Sequence, residues 1–231
     1  MHPSIASAPG ASTEVDAVLI DLHAHTAPRS NCSRTTLEEL VASARRRGLD
    51  ALCITEHDVR WPADELADAS RSLGFPLIPG VELSTDVGHV LVFGPLERPL
   101  WLGYTLEQLV EETDRSGTAL VLPHPVRRVA GERARRAGRV PPSPEEVAAW
   151  PQWSAVHAIE AASTQTVEAE HALTAATLAV APRPRVAASD AHGPDLAGRY
   201  CTRLAVDVHD ANGLAAEIRA GHTDAVLLGP D

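Results

Sequence analysis

The sequence predicts an α/β fold with a largely parallel sheet or barrel, held in a single domain. Two observations carry this expectation. Short apolar runs alternate with amphipathic stretches along most of the chain, the order expected of successive βαβ units. The 231 residues also suffice for one full hydrophobic core, and no internal repeat or linker marks a second.

The candidate strands, in order, are 17–22, 51–55, 77–83, 89–93, 118–122, 156–161, 185–189, 204–208 and 225–228. Candidate helices cover 37–47, 63–73, 106–116, 167–180 and 212–220. The first helix places Leu37, Leu40, Val41 and Ala44 at helical spacing, then closes on three arginines and Gly48. Cys53, in the run Leu52-Cys53-Ile54, reads as a small core residue. Residues 127–144 break the rhythm with six arginines, two glycines and three prolines. They read either as a solvated loop or as a basic flap over a site that takes anions. Residues 1–14 read as a disordered leader, without the apolar stretch of a signal peptide.

The formal charge is −11, and every basic residue is Arg. Such an acidic chain is a poor candidate for binding nucleic acid or an anionic membrane surface. No apolar stretch approaches the length of a membrane span. The three cysteines, Cys32, Cys53 and Cys201, lack CxxC spacing and argue against a disulfide framework, in keeping with a cytoplasmic location.

The polar residues at the strand ends form a second pattern. Strand one runs into Asp21-Leu22-His23-Ala24-His25-Thr26, strand two into Thr55-Glu56-His57-Asp58, and strand three contains Gly80-Val81-Glu82. Strand four begins at Gly88-His89, strand five leads to Pro123-His124-Pro125, strand six contains Glu160, and strand seven ends Ser189-Asp190-Ala191-His192. Six of the eleven histidines fall here. In a parallel barrel the carboxyl ends of the strands converge on one face, where active sites are built. Residues i and i+2 of an extended segment point the same way, so His23 and His25, or Asp190 and His192, can grip one ion. Imidazoles suit Zn, Mn and Fe, and a carboxylate such as Glu82 can bridge two cations. Burying so many polar groups without partners would cost several kcal/mol. A single HxH pair or strand-end His is more often structural, but together these residues predict a cluster of metal ions. Paired ions polarise a phosphoryl oxygen and activate water.

Asp-Leu-His-Ala-His-Thr, Thr-Glu-His-Asp, Gly-Val-Glu, Pro-His-Pro and Ser-Asp-Ala-His, in this order, resemble the PHP (polymerase and histidinol phosphatase) family of metal-dependent phosphoesterases. The likeness runs from about Asp21 to Arg199, and the segment Ala216–Gly221 resembles that family's last helix. It implies a distorted, TIM-like (β/α)7 barrel spanning 15–231 and a centre of two or three divalent ions, Mn, Fe or Zn. Carried over by position, His23, His25, Glu82 and Asp190 hold the first ion. Glu82 bridges to a second, completed by His89 and His124, and His57 and His192 serve a third. The family often completes the third site with an Asp or His shortly after HxH. Here the stretch reads Ser30-Asn31-Cys32-Ser33, so Asn31 supplies the ligand or none is present.

Glu82, His57 and Arg127 are the expected catalytic residues, with Arg127 and, more weakly, Arg199 meeting substrate phosphate. Glu56 and Asp58 are candidates for orienting an imidazole or for structural caps, and Glu160 for an acid or water-handling role. His2, His157, His171, His209 and His222 match no motif. The favoured activity is hydrolysis of a small phosphorylated metabolite, a phosphomonoester, by metal-bound hydroxide. The alternatives are a phosphodiesterase or 3′-end nuclease on short nucleotides, a hydrolase of a non-phosphate ester or amide, and a non-catalytic metal-binding module. Aromatic residues make up only 3% of the chain, which leaves few platforms for stacking bases.

Overall fold

The computed structural model describes residues 17–228, so the expected leader at 1–14 lies outside the described residues. The alternation read from the sequence becomes β1 (Val18–Asp21), α1 (Leu37–Arg46), β2 (Ala51–Ile54), α2 (Ala63–Leu73), β3 (Leu77–Thr85) and β4 (Gly88–Phe93). These are followed by α3 (Leu106–Ser116), β5 (Ala119–Leu122), α4 (Gly131–Arg136), α5 (Pro144–Ala148), α6 (Pro151–Ala155) and β6 (Ala158–Ala162). The chain continues through α7 (Glu168–Val180), β7 (Arg185–Ala187), β8 (Tyr200–Leu204), α8 (Ala211–Ala220) and β9 (Thr223–Leu227).

The strands lie in the order β7-β6-β5-β4-β3-β2-β1-β8-β9. β1, β2 and β3 are parallel neighbours, as are β5, β6 and β7. β4 runs against both β3 and β5. Thr85 pairs with Gly88, leaving only Asp86 and Val87 between the strands, and so short a connection can only reverse the chain. The ring shuts at its mouth, where Ala24 beyond β1 pairs in parallel with Ala191 beyond β7. Below that point the antiparallel strand pair β8–β9, joined through α8, lies beside β1. Thr202 Oγ1 and Thr223 Oγ1 tie this pair to β7 through the Ala187 and Arg185 carbonyls. The fold is thus a TIM-like barrel distorted by one reversed strand and one inserted antiparallel strand pair.

Alternation along each strand sorts the side chains. Ile20, Cys53, Ile78, Leu91, Phe93, Val121, Ala158 and Val186 fill the interior, and Leu214 and Ile218 of α8 pack against them. Outward residues such as Leu52, Ile54, Leu120 and Ile159 bury against the surrounding helices. The inward parity continues upward from apolar to polar on the same strands. Cys53 leads to Thr55 and His57, Ile78 to Gly80 and Glu82, Ala158 to Glu160, and Leu91 lies beneath His89.

Three expectations need correction. The apolar stretch at 204–208 is not a strand. The strand is Tyr200–Leu204, whose Thr202 and Arg203 break the apolar signal, while Val206 is exposed. The basic stretch 127–144 is not a continuous loop, since it contains α4 and buries Ala130 and Ala134. Strand one ends at Asp21, because the Asp21 carboxylate accepts the His23 backbone N–H at 3.2 Å and turns the chain. Pro144 and Pro151 stand in the first turns of the short helices α5 and α6, where a missing N–H costs no helical bond.

Gly80 is demanded by close approach. A Cβ there would lie 2.8 Å from both the Phe93 ring and Thr55 Cγ2. Gly80→Ala should therefore destabilise the protein by about 1–3 kcal/mol, read as a lowered midpoint of urea unfolding with an unchanged slope.

Candidate metal centre

The stacked parity delivers six histidines and two carboxylates to the mouth, and Glu82 stands at their centre, fully buried. Its Oε2 lies 3.2 Å from His23 Nε2, 3.2 Å from His25 Nε2 and 3.1 Å from His57 Nδ1. Its Oε1 lies 2.7 Å from His89 Nδ1 and 3.1 Å from His124 Nε2. The two oxygens therefore face different sets of imidazoles. Asp190 Oδ1 comes in from the far side of the ring, 3.4 Å from His23 Nε2 and 3.3 Å from His25 Nε2.

These spacings also suit ligands that share a cation. His23 Nε2 and His25 Nε2 are 3.1 Å apart. Ligands held at about 2.0–2.2 Å from an ion stand about 3.3–3.6 Å from one another in a tetrahedron, and slightly closer at higher coordination. Glu82 Oε2, Asp190 Oδ1 and His89 Nδ1 are buried without a hydrogen-bond partner. Buried polar atoms are nearly always satisfied, so three such atoms within one cluster of imidazoles mark places for bound ions. Four groupings can hold a metal: His23, His25 and Asp190; His23, Glu82 and His124; His57, Glu82 and His89; and His25, Cys32, His57 and His192. His57 thus joins His89 at Glu82, whereas the sequence reading assigned it to the third ion alone.

The outer nitrogens of the ring are tied down. His23 Nδ1 meets Glu160 Oε1 at 3.0 Å, and Glu160 Oε2 accepts the His124 backbone N–H at 2.7 Å. His25 Nδ1 lies 3.4 Å from Ser30 Oγ, which donates to Glu56 at 2.5 Å. His192 Nδ1 meets the Asp190 carbonyl at 2.9 Å. A carboxylate or carbonyl oxygen can only accept, so the proton sits on Nδ1 of His23 and His192 and leaves Nε2 to face the cluster. Glu160 therefore orients His23 and His124. Glu56 acts through Ser30 and also binds Thr26 and Trp61 Nε1. Asp58 touches no imidazole; it accepts from Ser84 N–H and Oγ at 2.7 and 2.8 Å and ties the second strand end to the third.

Electrostatics follow from burial and charge. Burial works against charge on His23, but the carboxylates of Asp190 and Glu82 outweigh it and hold its pKa well above the ordinary value. His25 is raised in the same way against its burial. Glu82 and Asp190 are lowered, the attraction of His23 and its neighbours overcoming desolvation. Burial lowers His57 to about 4, and lowers His192 too, so both imidazoles are neutral and able to donate a lone pair.

Asp21 is a residue that sequence reasoning left without a role. It accepts N–H bonds from His23, Ser189 and Gly198, and the Ser189 hydroxyl at 2.5 Å, so it sews β1 to the segment carrying Asp190. Desolvation raises its pKa to about 6 despite these bonds. Its place in the motif, two residues before His23, was the available signal. Backbone strain gathers at the same mouth: Asp58, His124, Arg128 and Asp190 have φ of 56°, 30°, 67° and 49°. Asp190 and His192 therefore do not share a side by strand alternation, as expected; a left-handed residue turns the chain between them.

Arg127 reaches the rim, where Nη1 donates to Asp190 Oδ2 at 3.2 Å. Arg199 forms no bond to the cluster and lines neither cavity beside it. The expectation for Asn31 is not met: Asn31 is exposed, and it is Cys32 Sγ that lies 3.1 Å from His192 Nε2. Among the unassigned histidines, His157 Nδ1 accepts Leu120 N–H, His171 packs by Ser163, and His209 and His222 are exposed. His2 lies outside the described residues.

Glu82→Gln keeps the shape of the side chain and removes its charge, so metal content measured after dialysis should fall by at least one equivalent. Because His23 and His25 hold protons until an ion displaces them, metal uptake near neutral pH should release protons and weaken as pH falls. Calorimetric titration in buffers of different ionisation enthalpy reads this directly.

Residues 21–131 match the family model described as "PHP domain". A 64-residue stretch is 42% identical to an error-prone DNA polymerase of Mycobacterium tuberculosis, covering 28% of this chain but only 6% of that protein. Among solved structures, PsfC from Pseudomonas syringae superposes with a TM-score of 0.61 at 20% identity over 91% of each chain. A two-domain Bacteroides vulgatus protein containing a predicted PHP-like metal-dependent phosphoesterase gives 0.58 at 20%, over 91% of this chain and 65% of that one. The lesion-specific endonuclease PfuEndoQ from Pyrococcus furiosus gives 0.55 at 15%, over 90% and 57%. At such identities the structural likeness concerns the fold, whereas the family match falls on the motifs carrying His23, His25, His57, Glu82, His89 and His124. Over residues 21–131, just under half of its length, this chain matches the PHP domain, the family its strand-end motifs resemble.

Proposed function

We propose that the protein hydrolyses a small phosphomonoester, with the mouth cluster as its metal centre and Arg127 as its phosphate-binding residue. The observation that carries this reading is the pairing of Glu82, whose two oxygens face separate sets of imidazoles, with an arginine-lined cavity beside them. His23, His25, Glu82 and Asp190 would hold one ion, and Glu82, His89 and His124 a second. Divalent ions bound there would supply Lewis acidity to a phosphoryl oxygen and lower the pKa of a water.

The chain's own residues do the rest. Glu160 holds His23 in one tautomer and His124 in place. Glu82 stays ionised and keeps the two sets of ligands at a fixed separation. A cavity of about 540 Å³ opens beside them, lined by His89, His124, Arg127, Arg128 and Trp150 among others, a size suited to a small metabolite. Arg127 engages Asp190 through Nη1 alone, so the remaining N–H groups of its planar fork are free for phosphate oxygens.

A phosphodiester or nucleic-acid substrate is the second reading. A further cavity of about 850 Å³, with Arg133 and Arg135 beyond the shared Arg127 and Arg128, could follow a phosphate backbone. The likeness to an endonuclease supports it. Trp150 is the one aromatic in the nearer cavity, and this scarcity of stacking surface favours the monoester.

Turnover by the Mn-loaded and Zn-loaded protein separates the two readings. The panel is p-nitrophenyl phosphate, its bis-ester, phosphorylated metabolites and a short oligonucleotide. Monoester hydrolysis abolished by chelation is expected; cleavage of diesters alone would replace the proposal with the second reading. Arg127→Ala should lower kcat/KM on the monoester roughly ten- to a hundredfold, the worth of a charged hydrogen bond. Arg127→Lys should recover part of that loss. Metal content must be measured alongside, because Arg127 also holds Asp190.

A further inference from the structure

We propose that the third ion in this chain is held by a thiolate, with Cys32 standing beside His57 and His192. The proposal rests on the mouth cluster being a metal centre and adds to it the donor and the kind of metal. Cys32 Sγ lies 3.1 Å from His192 Nε2, and one donor atom each of His25, Cys32, His57 and His192 falls within 4.8 Å of the others. His192 gives its Nδ1 proton to the Asp190 carbonyl at 2.9 Å, so the lone pair on Nε2 is the one aimed at the sulfur. His25 Nε2 is directed at the first ion's carboxylates, 3.2 and 3.3 Å away, so His25 serves that ion, whereas His57 faces Glu82 through Nδ1 at 3.1 Å and has its other ring nitrogen for the third. Cys32, His57 and His192 remain as the donors that would hold the third ion.

The loop that presents Cys32 is built to do so. Ser30 N–H donates to the Thr26 carbonyl at 2.8 Å, Ser33 N–H to the Ser30 carbonyl at 3.0 Å, and Ser33 Oγ to the His25 carbonyl at 2.8 Å. Glu56 anchors Ser30 from below. These bonds fold the loop back over the histidines with Asn31 outward and Cys32 against His192. The other two cysteines, Cys53 and Cys201, are buried elsewhere in the core. A thiolate brings the negative charge that the neutral imidazoles lack. As a soft donor it selects zinc or iron over manganese and magnesium, unlike the nitrogen and oxygen ligands of the other two ions.

Cobalt(II) titration of the full chain tests this without reference to turnover. The unmodified protein should develop a near-ultraviolet sulfur-to-cobalt charge-transfer band in addition to visible d–d bands. Cys32→Ser should lose the charge-transfer band and bind one equivalent fewer, while Cys32→His should restore the equivalent without the band. In the unmodified protein, saturating zinc should protect Cys32 from iodoacetamide, mapped by peptide mass, so the answer does not depend on a variant's folding. Visible bands without charge transfer, equal stoichiometry in Cys32→Ser and an unprotected thiol would overturn the thiolate site and leave the rest of the centre standing. Failure of the unmodified protein to bind cobalt or zinc at all would remove the metal reading and this inference with it.

Discussion

A carboxylate taken wholly out of water must be compensated from within, and Glu82 imposes that requirement on the rest of the mouth. Five imidazoles surround its two oxygens at 2.7–3.2 Å, and they arrive from four separate segments of the chain, His23 and His25 sharing one. Desolvation alone would push such a group towards its neutral form, but the surrounding positive potential reverses this. The reversed strand β4 belongs to the same solution. Only a hairpin lets β3 carry Glu82 upward and β4 bring His89 back beside it, with Ser84 paired to His89 across the strands.

The imidazoles in turn depend on groups that point away from the mouth. Glu160, Ser30 and the Asp190 carbonyl hold outer ring nitrogens, and Asp21 holds the two chain segments that carry His23 and Asp190. The cost of this arrangement is visible in the backbone. Four residues other than glycine adopt left-handed conformations near the mouth, each worth about 1–3 kcal/mol of strain. Hydrogen bonds such as those from Ser84 to Asp58 hold them there.

Much of this was legible in the sequence because periodicity and motif reinforce each other. Inward parity runs from Ile78 through Gly80 to Glu82, so a strand identified by its apolar residues also placed its carboxylate. What escaped did so for local reasons. β8 hides behind Thr202 and Arg203, whose polarity masks a strand buried between neighbours. α5 and α6 start on prolines, which resemble loop punctuation unless their position in the first turn is known. Asn31 and Cys32 are adjacent, and only the hydrogen bonds of Ser30 and Ser33 decide which faces the histidines. Those bonds join residues brought together by the tertiary fold, beyond the reach of spacing along the chain.

The closure of the ring at Ala24 and Ala191 has a consequence for how the protein comes to be. His23 and Asp190 are separated by most of the chain, yet they meet across this last seam, 3.4 Å apart. Contacts of such long sequence separation form late and slowly, because the loop entropy is lost before the contact rewards it. A chain emerging from synthesis therefore owns its histidines long before it owns a place to put an ion. An ion that binds only the closed ring stabilises it by mass action, in proportion to its free concentration. With an ion bound there, assembly of the ring and supply of the ion would be one equilibrium, and the free ion concentration would raise the folded fraction.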